Sequence, residues 1–220
     1  DGVIAFASDG ALTTSGAGEI RLEGFNLDAQ ITGAGTVTNA SGHTISGRGA
    51  ITAPLINQGN INPGVDGIGT LNATSGVTLD PTSMLNIQLG TNNSADRLAV
   101  TGTANLGGSI NVSMNGASVP TLNFNYTILT ADNVVGTFDN DNIIIDGNLI
   151  TRVVYEPTQV RILTRCIADT NLDGAVTAAD FSAWVSAFNA GSDIADQNFD
   201  GNVSPADFSA WVANFNQGCP

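Results

Sequence analysis

The chain contains no lysine, one histidine and two cysteines in 220 residues. Charged residues make up 12% of the chain, which is about half the share of an average soluble protein. No apolar run is long enough to cross a membrane, so we predict no direct membrane insertion. With His43 as the single histidine, neither a zinc site nor a Ser–His–Asp triad is expected. We therefore predict no catalytic residues and a protein that is not an enzyme.

Positive charge is also scarce. The six basic residues are all arginines, and they stand against 20 acidic residues, which gives a net charge of −14. Nucleic acids and anionic membranes attract proteins with a cationic face, so we predict neither as a partner. A surplus of carboxylates favours the binding of cations instead.

What the chain does have is glycine and alternation. It contains 26 glycines, and apolar and polar residues alternate in several stretches, such as residues 85–89 and 110–114. Alternation of this kind predicts strands with one buried face, and the frequent glycines predict that the strands are short. We expect residues 1–165 to form a mainly β domain.

Three short apolar stretches end in an asparagine that is followed within a few residues by glycine. The asparagines are Asn39, Asn57 and Asn72, spaced 18 and 15 residues apart. This spacing suits the coils of a β-solenoid, in which asparagine side chains stack along the axis. The alternative is a β-sandwich in which Asn-Gly pairs mark hairpin turns.

Several short motifs occur in a characteristic order within residues 30–163. They are Gly49-Ala50-Ile51, Ile61-Asn62-Pro63-Gly64, Leu85-Asn86-Ile87-Gln88-Leu89-Gly90, Asp96-Arg97-Leu98-Ala99-Val100-Thr101-Gly102, Tyr126-Thr127-Ile128-Leu129-Thr130 and Gly136-Thr137-Phe138. This order resembles autotransporter-type passenger repeats. The resemblance implies a right-handed parallel β-solenoid with a structural or adhesive role outside the cell.

The C-terminal part is a direct repeat. Residues 168–191 and 195–218 are identical at 16 of 24 aligned positions. Each copy opens with an acidic loop that places oxygen-bearing residues at positions 1, 3, 5, 7, 9 and 12 and glycine at position 6. Ca²⁺ takes six to eight oxygen ligands, and glycine permits the sharp turn around the ion.

We predict that the two loops bind two Ca²⁺ ions. Position 7 offers its backbone carbonyl, and position 9 is expected to hold a water. The predicted ligands are Asp169, Asn171, Asp173, Ala175, Thr177 and Asp180 in the first loop, and Asp196, Asn198, Asp200, Asn202, Ser204 and Asp207 in the second loop.

An amphipathic stripe with helical spacing follows each loop. The stripes are Phe181, Trp184, Val185 and Phe188, and then Phe208, Trp211, Val212 and Phe215. We expect residues 166–220 to form a small all-α domain in which the stripes pack on each other. The alternative is that part of one stripe forms a docking surface.

Cys166 and Cys219 bracket this domain. We interpret them as one disulfide, which predicts an oxidising compartment and a secreted protein at the cell surface or beyond it. A pair of free thiols is the alternative.

The two loop–helix units resemble the duplicated unit of type I dockerins, including aspartate at position 12. The resemblance implies a calcium-dependent module that binds a cohesin-like protein. Positions 10 and 11 depart from the Ser/Thr pair that is common in dockerins, because they are Ala178-Ala179 and Pro205-Ala206. The partner is therefore either a cohesin-like protein or another copy of the chain.

Our functional hypothesis is a secreted structural protein whose β-solenoid is attached, or polymerised into a fibre or sheet, through the calcium-binding module. Two alternatives remain open. One is a polysaccharide-degrading β-helix enzyme that carries a dockerin-like module, and the other is an adhesin that binds glycans without catalysis.

Overall fold

Twenty strands and two α-helices form the described part of this computed structural model. The structure describes residues 3–5, 10–23, 29–64, 66–116, 124–140, 142–146 and 149–219. The chain forms two compact units. The first contains Asp1–Pro120, Asn125–Asp141 and Val153–Ile162, and the second contains Thr121–Phe124, Asn142–Arg152 and Leu163–Pro220.

Most strands of the first unit belong to three sheets. The first sheet contains, in order, β1 (Val3–Ala5), β4 (Gln30–Thr32), β7 (Ala50–Ile51), β10 (Thr70–Ala73), β13 (Arg97–Val100) and β16 (Asn125–Thr130). The second contains β2 (Leu12–Thr13), β5 (Val37–Asn39), β8 (Leu55–Asn57), β11 (Val77–Leu79), β14 (Thr103–Leu106) and β17 (Asn133–Gly136). The third contains β3 (Glu19–Leu22), β6 (Thr44–Gly47), β9 (Asn60–Pro63), β12 (Met84–Leu89) and β15 (Ser109–Met114).

Every third strand along the chain therefore pairs with its predecessor, and these pairs are parallel. Parallel pairing needs a connection that returns to the same end of the sheet, and here the two intervening strands provide it. The prediction of a mainly β chain is confirmed. The parallel strands β5, β8 and β10 do not form the hairpins on which the sandwich alternative depends.

The core of this unit is built from aliphatic side chains that stack from one strand to the next. In the third sheet Ile45, Ile61, Leu85 and Ile110 lie in register and are almost fully buried. Burial of each such side chain contributes about 1.5–3 kcal/mol. The predicted alternation is confirmed in β12, where every second residue is buried.

The predicted asparagine stack is correct for two of its three members. Asn39 and Asn57 are both fully buried, lie in register, and are joined by an Asn39 Nδ2–Asn57 Oδ1 hydrogen bond of 2.7 Å. In the second sheet the next residue in register is Leu79, whereas Asn72 lies in the first sheet. The sequence interpretation assumed coils of nearly equal length, and the coils differ in length.

One carboxyl group is buried inside this unit. Asp96 is 2% exposed, and its two oxygens accept hydrogen bonds from the backbone N–H groups of Gly69 and Gln88 at 2.8 and 3.0 Å. Burial raises the pKa of Asp96 from 3.8 to about 6, although these hydrogen bonds and the charge of Arg48 favour its ionised form.

We expect the Asp96 carboxyl to make the first unit less stable as the pH rises through the interval between these two pKa values. In that interval the folded chain binds more protons than the unfolded chain, so the free energy of unfolding falls with increasing pH. The measurement compares denaturant unfolding of the wild type and Asp96→Asn by circular dichroism. Asparagine does not titrate, so the wild type should lose stability relative to it. A difference that does not change with pH would contradict this expectation.

The second unit combines a short sheet with helices. Strand β18 (Asn142–Asp146) pairs antiparallel with the first residues of β19 (Leu149–Glu156), and β20 (Gln159–Cys166) leads into the acidic repeat. The repeat contains α1 (Ala178–Asn189), a 3₁₀ turn at Asp193–Ala195 and α2 (Pro205–Gln217). The regular elements after Cys166 are helical, whereas the compact unit also contains strands. In the described residues, neither helix has the length and apolar character needed to cross a membrane.

Candidate metal centre

Each acidic loop ends at a helix start that its own side chains stabilise. Thr177 caps α1 by accepting a hydrogen bond from the Ala179 N–H group, and Asp180 accepts one from the Thr177 N–H group at 2.8 Å. Ser204 and Asp207 repeat this capping box at α2. Such caps contribute about 1 kcal/mol each. The caps hold the position-12 aspartates at the base of each loop.

The first loop brings three carboxylates together. The carboxylate oxygens of Asp169, Asp173 and Asp180 lie within 4.8 Å of one another. Asp180 is fully buried and Asp169 is 2% exposed. Burial and the charges of Asp180 and Asp173 raise the pKa of Asp169, while hydrogen bonds from the backbone N–H groups of Gly174 and Asp173 oppose this rise. Three like charges this close favour a divalent cation among them.

The loop backbone curves around these groups. Gly174 donates its N–H to Asp169 at 3.0 Å, and the Asn171 N–H donates to Asp180 at 3.1 Å. Position 4 is left-handed in both loops, with φ of 62° at Leu172 and 58° at Phe199. Position 6 is glycine with φ of 91° and 83° in the two loops, a conformation that glycine adopts without strain.

The second loop repeats this arrangement with one difference. Asp207 is fully buried and accepts hydrogen bonds from the N–H groups of Gln197, Asn198 and Ser204. Burial raises the pKa of Asp207, but these hydrogen bonds outweigh burial and lower it overall. Oδ1 of Asp196 is buried and has no hydrogen-bond partner among the described residues. An unpaired buried carboxylate oxygen is costly unless a ligand satisfies it.

The chemistry of both loops therefore fits Ca²⁺. All twelve predicted ligands lie in the described residues, and each loop gathers its position-1, position-5 and position-12 aspartates on one side of a tight turn. The hydroxyls of Thr177 and Ser204 serve the helix caps, so their predicted role in holding a water stays a prediction. The backbone carbonyls of Ala175 and Asn202 also stay predicted ligands.

The two aromatic stripes form a small core between the helices. Trp184 and Trp211 are 4% and 5% exposed, with ring centroids 6.4 Å apart. Their indole N–H groups donate to the Ala195 carbonyl at 3.1 Å and to the Thr170 hydroxyl at 3.2 Å. Phe181 and Phe208 are neighbours with centroids 6.0 Å apart, and they stay 39% and 45% exposed. The stripes thus provide both a core and an exposed aromatic pair.

Cys166 and Cys219 form a disulfide, so the predicted pairing is confirmed. It ties the end of β20 to the residues just after α2 and closes a loop with a sequence separation of 53.

Two polar groups were not found from the sequence as parts of larger clusters. His43 is 6% exposed, and its Nδ1 lies 2.8 Å from Oδ1 of Asn39, so it extends the buried asparagine stack. Arg165 at the end of β20 lies in the field of Asp169 and Asp193. Neither residue belongs to a local sequence pattern, so only the tertiary arrangement identifies them.

Comparison with known proteins gives one similarity to report. The chain is similar to a protein named extracellular serine protease from Serratia marcescens, with 31% identity over 157 residues. The similarity covers 60% of this chain and 15% of the relative. The chain therefore spans a small part of the length of that protein. No protein-family model matches the chain.

This similarity corrects one prediction. The absence of a recognisable catalytic motif led to the prediction that the protein is not an enzyme, and the relative is named as a serine protease. The prediction was wrong because it took the motifs of one stretch of chain as a guide to the whole protein, whereas the similarity covers only a small part of a much longer enzyme.

Proposed function

We propose that the chain is an extracellular assembly segment. In this proposal its first unit is a right-handed β-solenoid, and its acidic repeat is a dockerin-like module that binds two Ca²⁺ ions. The calcium-bound module attaches the β unit to a cohesin-like protein or to another copy of the chain, and attachment between copies would build a fibre or sheet.

The observation that carries the proposal is the cluster of three carboxylates in the first loop, two of them buried. Residues 166–220 contain seven acidic residues and no basic residue, so that segment offers these carboxylates no counter-charge. Two Ca²⁺ ions would reduce the charge of the segment from −7 to −3. Asp169, Asn171, Asp173 and Asp180 would hold one ion, and Asp196, Asn198, Asp200 and Asp207 would hold the other.

Three further observations support the extracellular and structural parts of the proposal. The disulfide is typical of an oxidising compartment, and the similar protein from Serratia marcescens is named as extracellular. The repeated strand order of the three sheets is the order expected when a chain winds in successive coils. Calcium at the millimolar level found outside cells would saturate sites with a Kd of about 10⁻⁴ M or tighter.

The exposed pair Phe181 and Phe208 supports a docking role. Both rings come from the start of a helix, just after a calcium loop, so ion binding would set their positions. Exposed aromatic side chains are enriched at the centres of protein interfaces. The alanine and proline residues at loop positions 10 and 11 lack the hydroxyls of the common dockerin pair, which favours a second copy over a cohesin-like partner.

Isothermal titration calorimetry tests the metal sites. We expect two Ca²⁺ ions per chain, and we expect Asp173→Ala and Asp200→Ala each to weaken one site by about tenfold or more, a cost of at least ~1.4 kcal/mol. Both aspartates are exposed and lie outside the helix caps, so the variants should fold. Asp139→Asn, an exposed acidic residue of the first unit, is the control. Calcium binding that both loop variants leave unchanged would refute the assigned sites.

Light scattering after size-exclusion chromatography tests assembly. We expect a larger species with Ca²⁺ that returns to monomer when a chelator is added. Phe181→Ser with Phe208→Ser should stay monomeric in Ca²⁺ while still binding two ions. A wild-type chain that is monomeric under both conditions would rule out self-assembly, and a pull-down with a cohesin-like protein would then decide the other form of the proposal.

A second candidate function follows from the similarity to the Serratia marcescens protein: the chain is a segment of an extracellular serine protease. A triad needs a histidine that contacts both a serine and a carboxylate, whereas Nδ1 of His43 contacts an asparagine. Labelling with a fluorophosphonate probe tests whether this chain supplies the nucleophile. A labelled serine in this chain would support the second candidate, and lack of labelling would place any nucleophile elsewhere.

A further inference from the structure

The guanidinium of Arg165 is buried without enough hydrogen-bond acceptors. Arg165 is 6% exposed, and its Nε and Nη1 atoms have no hydrogen-bond partner among the described residues. A carboxylate meets a guanidinium either across Nε and one Nη or across both Nη atoms. Each of these edges therefore includes a donor that is unpaired. A buried cation with unpaired donors is costly unless an anion completes it.

The surroundings of Arg165 do not supply that anion. Burial lowers the pKa of Arg165 first, the like charge of Arg152 lowers it further, and the carboxylates of Asp169 and Asp193 oppose this. Within the described part of the chain, no carboxylate lies close enough to Arg165 to form an ion pair. Asp169 also belongs to the first acidic loop, where its hydrogen bonds go to the loop backbone.

A small cleft adjoins this guanidinium. Its lining residues are Arg152, Arg165, Asp193, Ile194 and Phe199, and the volume open to the centre of a water molecule is about 10 Å³. This volume is enough for one water-sized group. Two arginines and one aspartate give the lining a net charge of +1, which a single negative charge would balance.

We propose that this cleft binds a carboxylate group, with Arg165 as its charged partner. A carboxylate is flat and narrow, carries one negative charge, and presents two oxygens to a guanidinium edge. Ile194 and Phe199 provide apolar walls for the carbon that bears the carboxylate, and they strengthen the ion pair by excluding water. The carboxylate comes either from a small free acid or from an Asp or Glu side chain of a second copy, since each copy has 20 acidic residues.

Nuclear magnetic resonance of the arginine Nε–Hε groups tests this site directly. The chain has six arginines and no lysine, so its side-chain spectrum contains few signals. Acetate is titrated into the full chain in the presence of Ca²⁺, with chloride replaced at constant ionic strength. We expect the Arg165 signal to move and saturate, with a smaller movement of Arg152. The other four signals should stay in place.

Variants make the assignment and keep the test independent of folding. Arg165→Gln should remove the saturating signal. Should that variant fail to fold, Arg152→Gln assigns its own signal and should weaken acetate binding at Arg165. The exposed Arg97→Gln is the matched control and should leave the acetate response unchanged. The same wild-type spectra, recorded over a range of protein concentrations without acetate, separate the two sources of the carboxylate.

Each outcome has a defined meaning. An Arg165 signal that moves with protein concentration and is reversed by acetate supports a carboxylate from a second copy. A saturable response to acetate alone supports a small free acid. An Arg165 signal that does not respond to acetate, or six signals that drift together without saturating, would overturn the proposal. Because this readout does not use assembly or calcium affinity, it can fail while the proposed function stands.

Discussion

Replacement of Cys166 and Cys219 by serine is expected to lower the free energy of unfolding of the second unit by about 4 kcal/mol when Ca²⁺ is removed. The disulfide closes a loop with a sequence separation of 53, and loops of this size gain about that much from the reduced entropy of the unfolded chain. The effect is large because the total stability of a small domain is only about 5–15 kcal/mol. The acidic repeat also lacks basic residues to offset its own repulsion.

Tryptophan fluorescence is the appropriate measurement. The chain has two tryptophans, and both Trp184 and Trp211 are buried in the second unit, so guanidinium unfolding followed by fluorescence reports on that unit. Added Ca²⁺ should restore part of the lost stability, because a ligand that binds the folded state stabilises it. Wild-type chain treated with a reductant serves as a second sample without the bridge. An unfolding midpoint that is equal with and without the disulfide would contradict the expectation.

Substitution of Gly47 by alanine is expected to destabilise the first unit by about 4 kcal/mol. Gly47 has a φ of 115°, a conformation that residues with a Cβ rarely adopt. A Cβ at this position would also lie 2.0 Å from the carbonyl oxygen of Leu22, its neighbour in register on β3. That oxygen accepts the N–H of Arg48 at 2.9 Å. Relief of the collision would therefore separate two paired strands and disturb the buried aliphatic stack beside them.

Gly16→Ala is the matched control for this substitution. Gly16 also has a positive φ, 77°, but no atom lies within 4 Å of a Cβ built there. It should therefore show only the backbone strain of about 1–2 kcal/mol. Circular dichroism in the β region follows the unfolding of both variants. Equal losses in the two variants would mean that the contact with Leu22 adds nothing, contrary to the structure.

The features that the sequence predicted well are short in range. A helix cap and a metal loop each depend on residues within about twelve positions, so the pattern from Asp169 to Asp180 contains most of the information for its own conformation. The buried tryptophans follow from helical spacing in the same way. The disulfide was predictable because the chain offers one possible pair of cysteines.

The strand register was not predictable in the same way. Alternation identifies which face of a strand is buried, but it does not say which strand lies beside it. The partner of Asn57 in one direction is Asn39, 18 residues away, and in the other it is Leu79, 22 residues away. Because the coils differ in length, the equal spacing that suggested Asn72 was misleading. Non-local pairing is selected by the fit of the whole core.

The amino-acid sequence by itself determined the two acidic loops, their helices, the cysteine pair and the alternating strands, because each depends on near neighbours or on a unique pairing. The tertiary structure alone decided which strands stack, why Gly47 admits no side chain, and where Arg165 lies without an acceptor. These depend on atoms brought together from distant positions in the chain, where the spacing along the sequence carries no record of the distance in space.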